Sequence, residues 1–412
     1  MASTPRSRVP WFTATRPAER SWTTGEELTP LLGAALIVKD EERVLGRCLG
    51  SIRGVVDEIV VVDTGSTDRS VSVAESFGAR VIHREWDGDF SAARNHGLDH
   101  LRSHWVLYID ADEYLSEVSK DDLSRRLATR SSCVAYRVLL RARPGYTPYR
   151  EYRIWRNRPD IRFWGVIHES HVEAIEAVVR AEGSSIEDID ILLEHDGYEG
   201  DQTHKHERNL PLLLAQVEAD PERSYLWDHI GRIHAALGHN EQARSAWERG
   251  RQAVLRRERA ASADVLIYSD LIADNAVRST PDPDLVAEAD LLFPDNIGIL
   301  WAGALDAEAR GDPGEVARRV DRLVEIGPST IATSAMAMDE RVLGEWAFHL
   351  RGGARFRLGD IRGAAADFAA AERCDPDNDE YRVKRALATA RISEAEQTEQ
   401  IDQAAGPTQV DA

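Results

Sequence analysis

Asp110-Ala111-Asp112 closes an apolar run, Trp105 to Ile109. Two carboxylates so spaced at the end of a buried strand can clamp a divalent cation, Mg²⁺ or Mn²⁺, against a diphosphate, because hard cations take oxygen ligands. Asp87-Gly88-Asp89 repeats the tripeptide, but no apolar run leads into it. Asp63 ends a second run, Ile59 to Val62, and is followed by Thr64-Gly65-Ser66-Thr67-Asp68. A carboxylate there is a candidate acceptor for a nucleotide base or ribose, and Gly65 permits a tight turn and close backbone approach to a ligand. Arg94, beside Asn95, suits a phosphate or a base edge. Glu169, after Phe163 to His168, is a candidate for taking the proton from an acceptor hydroxyl or thiol. His195 can offer a nitrogen to a metal. His168-Glu169-Ser170-His171 lacks the two-residue gap of a zinc-protease helix. A carboxylate pair at a strand end is the chemistry of enzymes that use nucleotide-activated donors.

Alternating strands and helices must position these residues. Ala34 to Val38 reads as a buried strand, and Val44, Leu45, Cys48, Leu49 and Ile52 as one face of a helix. Ile59 to Val62 is a second strand. The next helix has Thr67 as its expected cap and Gly78 as its stop. Arg80 to His83, the helix Ala92 to Leu101, and the strand Trp105 to Ile109 complete the alternation, which implies parallel strands with crossover helices. Ligands of such sheets bind beyond the carboxyl ends of the strands, where the acidic segments fall. From 133 to 195 strands are expected at Val134 to Leu140, Arg153 to Trp155, Phe163 to His168 and Ile191 to Leu193. After residue 204 small and aromatic residues recur at the spacing of tetratricopeptide helix pairs, best over Trp227 to Gly250 and over 345–378, and less well over 297–330. A fourth copy, 263–296, is expected to be distorted by Pro281 and Pro283.

The chain has 412 residues, 51 basic and 71 acidic side chains and a formal net charge of −20. That balance argues against a nucleic-acid partner, whose phosphates call for a basic surface. Local arginines and a metal still allow an anionic small-molecule donor. Three scattered cysteines give neither a disulfide framework nor a zinc pattern, so a reducing, cytoplasmic setting is expected. No apolar run has the length of a transmembrane segment.

In order, Leu36-Ile37-Val38-Lys39-Asp40-Glu41-Glu42, Asp57 to Asp68, Asp89-Phe90-Ser91-x-Ala93-Arg94-Asn95 and Asp110-Ala111-Asp112-Glu113 resemble glycosyltransferase family 2, of the GT-A type, over about residues 34–200. The family's usual Lys-Asn-Glu-Glu reads Lys-Asp-Glu-Glu here. The resemblance implies an α/β fold: a GT-A, Rossmann-like nucleotide-sugar domain with a mixed sheet, followed by an all-α tetratricopeptide-like helical repeat domain. The expected division is a disordered tail 1–30, the transferase domain 31–203, the repeats 204–392, and a disordered tail 393–412. The resemblance further implies an inverting transfer from a nucleoside-diphosphate sugar, UDP-linked. Lys39, Glu41, Asp63, Gly65, Ser66, Arg94, Asp110 and Ala111 would lie at the donor; Asp110, Asp112 and His195 would hold Mn²⁺ or Mg²⁺; Glu169 would be the base, with Asp112 beside it in catalysis. A repeat tail behind such a domain is similar to the subgroup containing peptide S-glycosyltransferases. It implies a peptide, protein or glycan acceptor, and leaves the repeat groove for a protein partner. Two rivals remain: a repeat scaffold carrying an inactive transferase domain, and a nucleotidyltransferase, although no glycine-rich, lysine-containing phosphate loop lies near the first strand.

Overall fold

The computed structural model describes residues 29–129, 132–195, 203–327 and 337–405. Residues 1–28 of the expected tail 1–30, Asp196 to Tyr198 and the last seven residues lie outside them.

The first unit is one eight-stranded mixed sheet in the order β3-β2-β1-β4-β7-β6-β8-β5. Its strands are β1 (Leu32–Val38), β2 (Glu58–Asp63), β3 (Arg80–His83), β4 (Trp105–Tyr108), β5 (Glu113–Leu115), β6 (Cys133–Arg141), β7 (Tyr149–Arg156) and β8 (Ser185–His195). Strands β1 to β4 are mutually parallel, as their alternation with α1 (Leu45–Ile52), α2 (Ser70–Ser76) and α3 (Phe90–His100) requires. β7 turns antiparallel against β4 and β6, and β5 antiparallel against β8. Helices α4 (Lys120–Thr129) and α5 (Val172–Glu182) link the later strands.

β4 and β5 are neighbours in sequence but four positions apart in the sheet. In a flat sheet that separation would be about 19 Å at the usual strand spacing. The turn Asp110–Glu113, closed by the Glu113 N–H on the Asp110 carbonyl, cannot reach that far. The sheet must therefore curl, bringing the end of β8 beside the end of β4. The core beneath includes Leu36, Leu45, Leu49, Ile52, Trp105 and Ile109, all almost fully buried.

A helical array follows: α6 (Thr203–Ala219), α7 (Ser224–Ala236), α8 (Asn240–Leu255), α9 (Val265–Val277), α10 (Pro283–Leu292), α11 (Ile297–Ala309), α12 (Pro313–Ile326), α13 (Glu345–Arg357), α14 (Ile361–Cys374) and α15 (Asp379–Ala405). The pairs α7–α8, α9–α10, α11–α12 and α13–α14 fall on the four expected repeats. Gly231 explains the small residue at the α7–α8 crossing, since a Cβ there would sit 2.2 Å from the Trp247 indole.

Four local expectations are corrected. Thr67 does not cap α2; its N–H and hydroxyl donate to Asp40, while Asp68 accepts from the Ser70 N–H. Phe163 to His168 is not a strand, because Gly165 (φ +98°) and His168 (φ +48°) break the extended path, leaving a single bridge between Trp164 and Ser170. Pro283 starts α10 instead of distorting it: proline suits a first helical turn, and Asp282 caps it through the Leu285 N–H. The expected tail from 393 continues α15 as far as Ala405, because its alanines, glutamates and glutamines favour helix and no glycine or proline intervenes.

Candidate active site

The carboxyl ends of β1, β2 and β4 form the floor. The loops after β1 and β2 are laced together. Asp40 accepts from the Thr67 and Asp68 N–H groups, Glu42 from the Arg69 N–H, and the Ser66 and Ser70 hydroxyls accept from the N–H groups of Asp40 and Glu41. Asp63 is nearly buried. Its carboxylate accepts from the Gly65 and Ser66 N–H groups and meets His83 Nδ1 at 3.2 Å. Burial alone would raise its pKa, but these hydrogen bonds win and hold it below the ordinary value. Asp63 thus fixes the Gly65 turn (φ +105°), leaving Gly65 exposed above it. Lys39 is exposed on the β1 side. Glu41 is half-buried near Asp112, and burial followed by the Asp112 charge raises its pKa.

Beyond β4, the Asp110–Glu113 turn is held from below. Glu113 is buried in a bidentate ion pair with Arg153 at 2.8 and 2.9 Å, and also accepts from the Asp110 N–H. Cys48 donates its S–H to the Asp110 carbonyl, and Ala111 is buried. These contacts leave the Asp110 and Asp112 side chains 30% and 21% exposed. Glu113 pairs with His195 across β5 and β8, so His195 Nε2 reaches Asp112 Oδ2 at 3.3 Å. Burial opposes charging of this imidazole, but the hydrogen bond to Asp112 and its charge prevail and raise the His195 pKa.

Arg94 joins the two halves of the site. From α3 its guanidinium, 10% exposed, pairs with Asp110 at 2.8 Å and with Glu169, and lies over the Tyr108 ring. Arg94 is expected at the donor, and two of its nitrogens already serve carboxylates here. Its Nη1 is buried without a hydrogen-bond partner among the described residues. Burial would raise the Asp110 pKa, but the charges of Arg94 and Arg153 lower it.

The structure thus brings together Asp110, Asp112, His195, Arg94 and Glu169, with Asp63, Gly65 and Ser66 at the end of β2, across β1 from β4. Ser91 and Asn95 were missed as functional. Ser91 Oγ donates to the Gly165 carbonyl, and Asn95 grips Phe163 through both its N–H and its carbonyl. Asp89 caps α3 through the Ala92 N–H. The segment Asp89 to Asn95 is therefore a clamp on the loop that carries Glu169. His171 is a core residue packed against Trp155, and burial, with Arg153 nearby, pushes its pKa down to about 3. A larger cavity of about 1090 Å³ lies at the opposite ends of β1 and β4, lined by Pro30, Arg102, His104 and Arg156, and holds none of these residues.

Residues 34–175 match the model of Glycosyl transferase family 2. This segment is a glycosyltransferase family 2 domain. The family 2 domain carries every site residue named above except His195. The chain is 35% identical over 216 residues to a TPR repeat-containing protein of Synechococcus elongatus, covering 49% of this chain and 53% of that one. It is 25% identical over 228 residues to the SPbeta prophage-derived glycosyltransferase SunS of Bacillus subtilis, covering 52% of each. The chain spans about half the length of these curated relatives. Among solved structures, S. aureus TarS 1-349 aligns at a TM-score of 0.32 and 14% identity, over 71% of this chain and 90% of that one. Glucosyl-3-phosphoglycerate synthase of Mycobacterium tuberculosis aligns at a TM-score of 0.31 and 19% identity, over 41% and 72%.

Proposed function

We propose that the protein is a metal-dependent, inverting glycosyltransferase that moves a sugar from a nucleoside-diphosphate donor, UDP-linked, to a hydroxyl or thiol of a peptide, protein or glycan. The observation that carries this reading is the linked set His195–Asp112, then Asp110–Arg94–Glu169, at the strand ends of a family 2 domain.

Asp112 and His195 already stand together, and Asp110 presents a third donor, so an oxygen-and-nitrogen set suits Mn²⁺, with Mg²⁺ favoured less by the imidazole. Among the described residues no group of three such side chains stands close enough to hold a metal ion by itself; Asp112 and His195 are the pair that would start the site, with the donor's phosphates as the further ligands. When bound, the ion would neutralise charge on the departing diphosphate. Glu169 accepts the acceptor's proton as the acceptor oxygen or sulfur bonds to the anomeric carbon. The sugar–phosphate bond breaks with its electron pair leaving on the nucleoside diphosphate. Asp63, Gly65 and Ser66 shape the nucleotide side, and Lys39, Glu41 and Ala111 border it. Arg94 keeps Glu169 and Asp110 in fixed register and offers Nη1 toward an anion.

Residues 31–203 act as the transfer unit, and the repeats from 204 present the acceptor or a partner protein in their groove. Three unpaired cysteines support a reducing compartment, the cytoplasm. Among the described residues no helix is long and apolar enough to cross a membrane. The test is release of nucleoside diphosphate from UDP-, GDP- and dTDP-sugars with Mn²⁺. Release from one donor that ceases on chelation supports the reading; no binding or turnover of any donor refutes it.

A further inference from the structure

The loop Trp164 to His171 carries Glu169, and its backbone is held carbonyl by carbonyl. Phe163 accepts from Asn95 Nδ2, Trp164 from the Ser170 N–H, Gly165 from Ser91 Oγ, and Val166 from the Phe90 N–H. The next two partners come from the helical array. Ile167 accepts from Gln216 Nε2 of α6 at 2.8 Å, and His168 from the Tyr225 hydroxyl of α7 at 2.8 Å. These are the last two carbonyls before Glu169.

Side chains repeat the pattern. Ile167, 3% exposed, lies in the core of α6 and α7 with Leu213, Val217, Leu226 and Ile230. The His168 ring stacks on His229 of α7, with centroids 3.6 Å apart and planes at 12°. His168 sits at φ +48°, a left-handed conformation uncommon for residues other than glycine. Gly165 faces the array as well: a Cβ there would lie 3.3 Å from both Arg223 Nη1 and Gln216 Oε1.

We propose that Gln216, Tyr225 and His229 are positioning residues of the transfer site, so that the first helices of the array hold the Glu169 loop in its working conformation. This rests on the reading of Glu169 as the base. The array is then part of the active site as well as a surface for acceptors, and an event that shifts α6 or α7 changes turnover at a distance.

The experiment compares the full chain with Tyr225→Phe, with the double variant Gln216→Leu/Tyr225→Phe, and with Tyr268→Phe. The last removes a hydroxyl bonded to Glu288 elsewhere in the array. Amide hydrogen exchange is read over residues 163–172, and kcat and donor KM are measured with Mn²⁺. Tyr225→Phe is expected to speed exchange in that segment about five- to tenfold, as for one lost hydrogen bond. The double variant is expected to lower kcat about 50-fold with donor KM changed less than twofold. Tyr268→Phe should change neither. Exchange and kcat within twofold of wild type in the double variant would overturn the proposal, as would equal losses in Tyr268→Phe. Exchange needs no turnover, so if the wild type transfers no sugar the base assignment falls, while exchange still decides whether the array holds the loop.

Discussion

Arg94→Met removes a cation that touches both halves of the site. Asp110 and Glu169 are left in place, with side chains 30% and 8% exposed, and no longer separated by a positive charge. Removing one partner of a buried ion pair costs about 3–5 kcal/mol, because the stranded charge keeps its desolvation penalty. Here one guanidinium serves two carboxylates, so the upper part of that range is expected despite the partial exposure of Asp110. Loss of the contact over Tyr108, 4.5 Å from the guanidinium carbon, adds about 1–2 kcal/mol. The assay is urea unfolding followed by tryptophan fluorescence, to which Trp105 and Trp155, both buried in the sheet, contribute. Adding Glu169→Gln to Arg94→Met removes one stranded charge and should restore about half the loss. A loss below about 1 kcal/mol, or no recovery in the double variant, would refute the view that Arg94 acts by bridging these carboxylates.

Acid should destabilise the protein through buried histidines. His168, by burial and then Arg223, titrates at about 4, and His171, by burial and then Arg153, at about 3. Unfolded, both titrate near 6.5, so between pH 6.5 and 4 the unfolded chain binds protons that the fold refuses, and stability falls as pH falls. From pH 7 to 5 each contributes a loss of about 2 kcal/mol. His171→Phe should remove about half of the combined loss, and a urea midpoint unchanged by that substitution at pH 5 relative to pH 7 would contradict this. Gly231→Ala should lower the melting temperature, since overpacking costs about 1–3 kcal/mol where Trp247 cannot yield. The gain in helix propensity is about 1 kcal/mol at most, so a raised melting temperature would show that the crossing is looser than its geometry.

The strands of the first unit were legible where sequence and burial share one cause. Runs such as Ile59 to Val62 are β-branched and apolar because both sheet faces are covered. Asp110 and Asp112 were legible because carboxylates directly after such a run have few structural uses. His195 was legible as a possible nitrogen ligand, but its place beside Asp112 depends on the curl of the sheet, which no local pattern encodes. Ser91 and Asn95 escaped notice because their partners are backbone carbonyls and N–H groups 68 to 74 residues away, and backbone leaves no residue-type signal. Arg153 read as one more strand residue, though it neutralises Glu113 beneath the turn. The Phe163 to His168 segment misled because its apolar residues look like a strand, while Ile167 is apolar for the sake of α6 and α7. Thr67 failed as a cap because α2 begins only at Ser70, which puts Arg69 at the cap position and leaves the Ser70 N–H to Asp68.

The account turns most directly on calorimetric titration of UDP into the wild type and Asp112→Ala, each with Mn²⁺ and with chelator. It predicts binding by the wild type only with Mn²⁺, and binding weakened at least about 100-fold in Asp112→Ala, whose fold should persist because that carboxylate is partly exposed. Equal binding by the two proteins, or binding indifferent to Mn²⁺, would contradict it.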